Sequence, residues 1–361
     1  MIQNVNSIMW TERYQEAGEF EIIANLSSGL REFLPIGTFI SHEDTLEVMF
    51  VENYEISEDE NEDPTIKITG RSLEAYLENR IVAMNNIRMF PNVFDYILDP
   101  DYTWNQVVYL INEHIGSDLS PGDVLDNIIG TTNVTGTGVV EPRSIKRMDL
   151  YKAILELLAI DDLGIKTIRR NTFGVPDGSP DETRIVVYKG VNKSATVIFS
   201  WKAGDIDKAE YLWSDKKLKN SAAVVGRYVN TVVDTPGAER FNRRSMVVSA
   251  DDIDGHLTEF PAEPELSDII SRMQVRGRAA LDSQNRVTIT RADISNVSKY
   301  QYRKDFEVGD LITLNGNFGE IAVMRVVEYV EIQDENGETG HPTLSLPDAQ
   351  SVGSKYGRSS P

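Results

Sequence analysis

Residues Leu46–Ile56 read LEVMFVENYEI and residues Thr65–Thr69 read TIKIT, with the acidic run SEDENEDP at 57–64 between them. Strand, polar loop, strand is the signature of a β-hairpin. Thr65, Lys67 and Thr69 alternate with Ile66 and Ile68, the period of a half-buried strand. Upstream, Phe20–Asn25 (FEIIAN) predicts another strand. Downstream, Ser72 is placed as an N-cap for a short helix over Leu73–Asn79, with Leu73, Tyr76 and Leu77 at helical spacing. The chain therefore opens as a β segment.

The pattern then changes. Thr103 is placed to cap a helix reaching Ile115, with Val107, Leu110, Ile111 and His114 on one side. Gly130–Gly138 (GTTNVTGTG) reads as a loop. Asp149–Ala159 (DLYKAILELLA) predicts a helix opened by an Asp cap, and Leu163–Arg169 and Arg184–Tyr188 predict strands around a turn-rich loop at Asn171–Pro180. From Val197 onward strands return. Leu218–Val233 reads as one long β pattern, and Met246–Val248, Val287–Thr290, Leu311–Leu314, Ile321–Arg325 and Val326–Ile332 read as further strands. Leu266–Leu281 has helical spacing, Gly316–Gly319 reads as a hairpin turn, and Asn336-Gly337 predicts a tight turn because its central positions need positive φ. The order β segment, α/β insert, β segment predicts a β-rich α+β chain. Its sheet or barrel would be built from sequence-distant halves.

Length and composition bound what such a chain can do. The 361 residues suit two or three domains, and 40% apolar with 26% charged residues describe a globular chain. No apolar run approaches a membrane span, and Met1–Trp10 shows no signal-peptide pattern, so no membrane insertion is expected. The absence of cysteine excludes disulfides, a Cys nucleophile and Cys-based metal centres. The net charge of −21 argues against a surface that grips nucleic acid. It suits a surface that DNA slides past, although solubility alone accounts for it as well.

Motifs for chemistry are missing. His42, His114, His256 and His341 are scattered, with no His-Glu-x-x-His spacing. Neither a Gly-x-Ser-x-Gly elbow nor a phosphate-binding Gly-rich loop occurs. The acidic run at 57–63 has oxygen ligands suited to calcium but not the EF-hand order, so a solvated hairpin loop is the simpler account. Trp10, Trp104, Trp201 and Trp213 are scattered and read as packing residues. No catalytic, cofactor-binding or metal-ligating residue is assigned.

Four stretches, in order, resemble a known family. Ser7–Tyr14 (SIMWTERY) followed by Gly18–Glu21 (GEFE) is similar to an opening SLIWTxRYxxxGxFEL segment. Thr69–Leu73 (TGRSL) with Leu77 and Arg80 resembles xGRSLxxxLxxR, and Tyr302–Thr313 (YRKDFEVGDLIT) resembles YxxDYxLGDxVT. Arg325–Glu331 (RVVEYVE) before Asn336-Gly337 resembles the closing RIxEVxExxxxxG strands. These are marks of the siphophage tail-associated proteins, a baseplate hub family related to the central hub of contractile baseplates.

The resemblance implies a non-enzymatic virion protein of the tail tip, assembled in the host cytoplasm, without cofactors. It implies a homotrimer in which each subunit presents two tube-like β-barrel domains, so that three subunits mimic the six-fold tail tube. Residues 1–83 would form the β segment of the first hub barrel and 84–200 the inserted α/β region. Residues 201–348, with the helix at 266–281, would form the second, and 349–361 a disordered tail. Implied partners are the distal tail protein, the tail tube protein and the tape-measure protein, with DNA passing through the lumen without specific binding during genome ejection. Relatives usually carry a strand upstream of the opening segment, where this sequence has only six residues before Ser7. Many also carry a C-terminal enzymatic or carbohydrate-binding extension, so the resemblance implies a hub without the cell-wall enzyme. A tail-associated cell-wall hydrolase would need a catalytic constellation, and a host carbohydrate binder an exposed aromatic groove.

Overall fold

The structure is a computed structural model. It describes residues 5–42, 45, 47–59, 62–82, 96–116, 125, 128–136, 140–145, 148–169, 183–213, 218–255, 257, 259–263, 265–282, 287–294, 298–317, 321–335 and 337–345. Five strands come first: β1 (Ser7–Arg13), β2 (Glu19–Asn25), β3 (Phe39–Ser41), β4 (Val48–Asp59) and β5 (Glu62–Ser72), with the short helix α1 (Leu30–Phe33) before β3. The middle holds β6 (Tyr96–Asp101), α2 (Thr103–Ile115), β7 (Ile128–Thr132), β8 (Glu141–Ile145), α3 (Leu150–Asp161), β9 (Gly164–Arg169) and β10 (Thr183–Tyr188). Then follow β11 (Ile198–Ser200), β12 (Ile206–Trp213), β13 (Ser221–Val225), β14 (Asn230–Asp234), β15 (Ser245–Ser249), α4 (Asp251–Asp254), α5 (Glu265–Asp282) and β16 (Val287–Ile294). The last strands are β17 (Leu311–Asn315), β18 (Ile321–Asp334) and β19 (Gly337–Ser345).

One nine-stranded sheet organises the molecule, in the order β11-β17-β18-β1-β2-β5-β4-β3, with β19 also on β18. Its centre is the antiparallel pairing of β1 with β18, Trp10 opposite Glu331 and Arg13 opposite Glu328. The expected meeting of sequence-distant halves therefore happens in a single sheet. No closed barrel forms among the described residues: strands expected in two separate barrels share this sheet, because β1 has β2 on one side and β18 on the other. Alternation puts Phe20, Ile22 and Ala24 of β2 against Met49, Val51, Ile66 and Ile68, in a core that Trp10 joins.

Several local expectations are corrected. The acidic hairpin is tighter than its composition implies: Ser57 pairs with Thr65 and Asp59 with Glu62, so most of the run lies in strands. Residues 73–79 form a 3-10 helix, and the Ser72 side chain caps nothing there. Thr103 is the first residue of α2 rather than its cap, and its hydroxyl donates to Asp161 at 2.5 Å. Asp149 does cap α3, accepting from the Lys152 amide at 2.7 Å. Gly130–Thr132 belong to β7 and not to a loop. Leu218–Val233 is not one strand but the β13–β14 hairpin, bent at Gly226. Ile321–Ile332 is one strand, β18. The loop 171–180, His256, Asn336 and the tail 349–361 lie outside the described residues.

Smaller layers flank the sheet. Helices α2 and α3 bury Val107, Leu110, Ile111, Ile154, Leu157 and Leu158 with Ile165, Ile185 and Val187 of the β7-β10-β9 sheet. Helix α5 covers one face of the β14-β13-β15 sheet, with Ile269 and Met273 against Ala222, Val224 and Val233.

Candidate functional site

The seam between β1 and β18 gathers the residues whose sequence patterns stand out at both ends of the chain. Glu12 lies at its centre. The Tyr302 hydroxyl donates to Glu12 Oε2 at 2.5 Å, and Arg303 Nη2 donates to Glu12 Oε1 at 3.1 Å. The same Arg303 nitrogen is 2.8 Å from Glu331 Oε2, and His42 Nε2 is 3.2 Å from Glu331 Oε1. Arg303 reaches both carboxylates from a left-handed backbone, φ 64°. One step along, Arg13 donates from Nε to Glu328 at 2.7 Å, from Nη2 to Glu19 at 2.6 Å and from Nη1 to the Ala17 carbonyl at 2.9 Å. Three strands, β1, β2 and β18, are thus tied by one guanidinium. Arginine suits this role because its planar fork offers several fixed donors.

A second knot forms below the seam. Tyr14 is fully buried, donates to the Asp162 carbonyl at 2.8 Å and packs edge-on against Tyr188. The Arg325 guanidinium sits 4.7 Å from the Tyr14 ring centroid and donates to the Gly309 carbonyl and the Asp162 carboxylate. Gly309 has φ 98°, and a β-carbon there would lie 2.7 Å from Tyr14 Cε2, so glycine is required twice over. Asp310 accepts from the amides of Val191 at 2.8 Å and Glu307 at 3.0 Å, and pairs with Lys193 at 2.9 Å.

The glycine-arginine pair near the end of β5 works the same way. A β-carbon on Gly70 would stand 1.8 Å from the Phe50 carbonyl oxygen, so the strands could not approach with any other residue. Arg71 forks onto Glu52, from Nε and Nη2 at 2.9 Å each, and reaches Glu78 with Nη1 at 3.0 Å. Ser72 accepts from the Gly18 amide at 2.8 Å and donates to Glu74 at 2.7 Å. Thr167 donates to the other Glu74 oxygen at 2.5 Å.

Electrostatics separate the carboxylates into two kinds. Burial works to raise the pKa of Glu331, but His42 and Arg303 outweigh it and hold the group below the ordinary carboxylate range. Glu47 and Glu74 are buried, and burial pushes both upward; for Glu47 the nearby charges of Glu12 and Glu74 add to the rise. Burial also raises Tyr302, with Glu12 adding to it. Glu12, Glu331, Arg303, Tyr302 and His42 bind one another across the seam and so tie β1 to β18 and to the loop before β17.

Of the remaining candidates, His42 and Trp10 lie at the seam, His341 lies opposite Val330 on the neighbouring β19, and Trp104 and His114 lie away from it. Trp10 is buried against Phe20, and Trp104 stacks on Tyr102. His114 bonds the Leu110 carbonyl at 2.8 Å beside Tyr96. Among the described residues no group of three His, Asp or Glu side chains is placed to hold a metal ion. Sequence reasoning found Arg303, Gly309 and Arg325 through the motifs containing them. It missed the pairing of Tyr302 with Tyr329 and the buried acids Glu47 and Glu74, which carry no local signal.

Comparisons with known proteins agree with this architecture. Three solved structures share the fold over nearly the whole chain. The 43 kDa tail protein of prophage MuSo2 from Shewanella oneidensis is 13% identical, with a TM-score of 0.58 over 97% of this chain and 96% of that one. The tail protein from Neisseria meningitidis MC58 is 11% identical, with a TM-score of 0.57 over 96% and 95%. Prophage tail protein gp18 from Listeria monocytogenes EGD-e is 12% identical, with a TM-score of 0.56 over 95% and 90%. A search of curated proteins finds no match. The model of the siphovirus ReqiPepy6 Gp37-like proteins matches residues 1–344, taking in β1, β18 and the seam between them. The chain belongs to that family.

Proposed function

We propose that this chain is a phage tail protein, the tail-tip or baseplate hub subunit, and that it works mechanically rather than as an enzyme. Three copies form a ring that continues the tail tube, with each subunit supplying two tube-like units to match six-fold symmetry. The ring contacts the tail tube protein and the distal tail protein, receives the end of the tape-measure protein, and opens for genome ejection. DNA passes an acidic lumen without being held, which the net charge of −21 favours.

The observation that carries this reading is the β1–β18 seam. It joins β1 to β18, near the two ends of the chain, in one sheet whose path runs from β11 to β3 with β19 alongside β18. Free strand edges invite pairing, and closed symmetry buries them without leaving an open end. A sheet locked at its centre and open at both ends suits a load-bearing ring element.

Immunogold labelling of intact particles tests the position. Gold at the end of the tail distal to the head is the expected result. Gold along the tail shaft or on the capsid overturns the tail-tip assignment.

A further inference from the structure

The three-stranded β14-β13-β15 sheet has one face under α5 and one face bare. On the bare face Val232, Ala223 and Val247 stand in one register row, and Val232 and Val247 are 57% and 73% exposed. At the end of this sheet the β14–β15 connection presents Phe241, which is wholly exposed. That connection is not loose. Asn242 bonds the Gly237 carbonyl at 2.9 Å, Asn220 holds the Asn242 carbonyl at 2.7 Å and the Arg244 amide at 2.7 Å, and Arg243 forks onto Asp234. A large aromatic held outward by fixed backbone is the form of a binding anchor, since little ordering cost remains on association.

Charge indicates the occupant. Residues 219–249 carry five basic residues, Lys219, Arg227, Arg240, Arg243 and Arg244, and two acidic ones, Asp234 and Glu239, in a chain of net −21. Residues 1–83 carry seventeen acidic and five basic residues. The same acidic segment exposes Phe33, Ile36 and Phe39 (66%, 64% and 55%) beside β3, the free end of the main sheet. Residues 219–249 thus carry net +3 (5 − 2) and residues 1–83 net −12 (5 − 17), so the two segments are complementary in overall charge.

We infer that the Val232–Val247 face with Phe241 docks on the Phe33–Phe39 edge of a second copy of the chain. The two surfaces differ, so the contact is head-to-tail, and such a contact ends only by closing into a ring. The inference rests on the ring reading and names the surfaces that make the ring.

The cysteine-free chain allows a direct test. Val247→Cys and Phe39→Cys are made separately in the full chain, mixed in equal amounts and treated with a short bismaleimide linker, and native mass is measured by light scattering on the same samples. The expected result is a mixed cross-link in excess of either self-cross-link. Phe241→Asp should reduce that cross-link at least tenfold with thermal midpoint unchanged, and raised salt should weaken it by screening. Self-cross-links equal to or above the mixed one overturn the inference, as does persistence with Phe241→Asp. If cross-linking fails while the mass remains that of an assembly, the docking face is wrong and the ring stands; a mass of one subunit throughout removes both. Retention of a DNA duplex by this patch, with no mixed cross-link, replaces the partner copy by nucleic acid.

Discussion

Tyr302 lies flat on Tyr329, with ring centroids 3.6 Å apart and planes 13° from parallel, while its hydroxyl donates to Glu12. One side chain from the loop before β17 thereby clamps β18 to β1. The stack and the hydrogen bond are separable by mutation. Tyr302→Phe keeps the ring and loses the bond to a carboxylate, a cost of about 1.5–3 kcal/mol. Tyr302→Ala loses both and costs ~2 kcal/mol more. Urea denaturation of the purified chain measures each, and equal losses for the two variants would contradict a contribution from the stack.

Two glycines share a left-handed backbone but not their surroundings. Gly29 has φ 73° with open space where a β-carbon would go, whereas at Gly309 that atom meets Tyr14 at 2.7 Å. Gly29→Ala should cost about 1 kcal/mol, the backbone penalty alone. Gly309→Ala should cost about 2–4 kcal/mol, because the Tyr14 ring must also shift. Thermal midpoints of the two variants decide, and matching losses would show that the Tyr14 contact is slack.

The buried acid Glu47 predicts a pH effect of defined sign. Its folded-state pKa is raised by burial, with Glu12 and Glu74 adding to the rise. Its contribution is therefore full below the unfolded carboxylate value and is lost as pH rises through the folded-state value. Glu47→Gln is neutral at every pH and escapes this loss. The variant should exceed the parent in stability by at least about 1 kcal/mol at pH 8, and the gap should close toward pH 4. Denaturation midpoints across that range test it, and a gap that widens toward acid would reverse the assignment.

What the sequence revealed follows the range of the interactions. Helix α3 was readable because its Asp149 cap and its i, i+3, i+4 apolar spacing are local, and β2 and β5 because alternation is local. The β13–β14 bend was not. The Asp254 carboxylate, far along the chain, accepts the amides of Arg227 and Tyr228 at 2.7 Å and of Val229 at 2.8 Å, and nothing beside Gly226 announces it. The seam was partly readable. Its motif residues stood out individually, but Arg13 and Glu328 meet across 315 positions, a pairing set by the sheet as a whole. Patterning left sheet or barrel open, the pair of tube-like barrels came from the resemblance, and the sheet observed is continuous across the two segments assigned to them.

Native mass tests the central claim most directly. Light scattering on the full chain over rising concentration should reach a plateau at about 120 kDa, three subunits of 40.5 kDa, as a closed ring requires. A plateau at 40.5 kDa, or growth without a plateau, would contradict a trimeric hub.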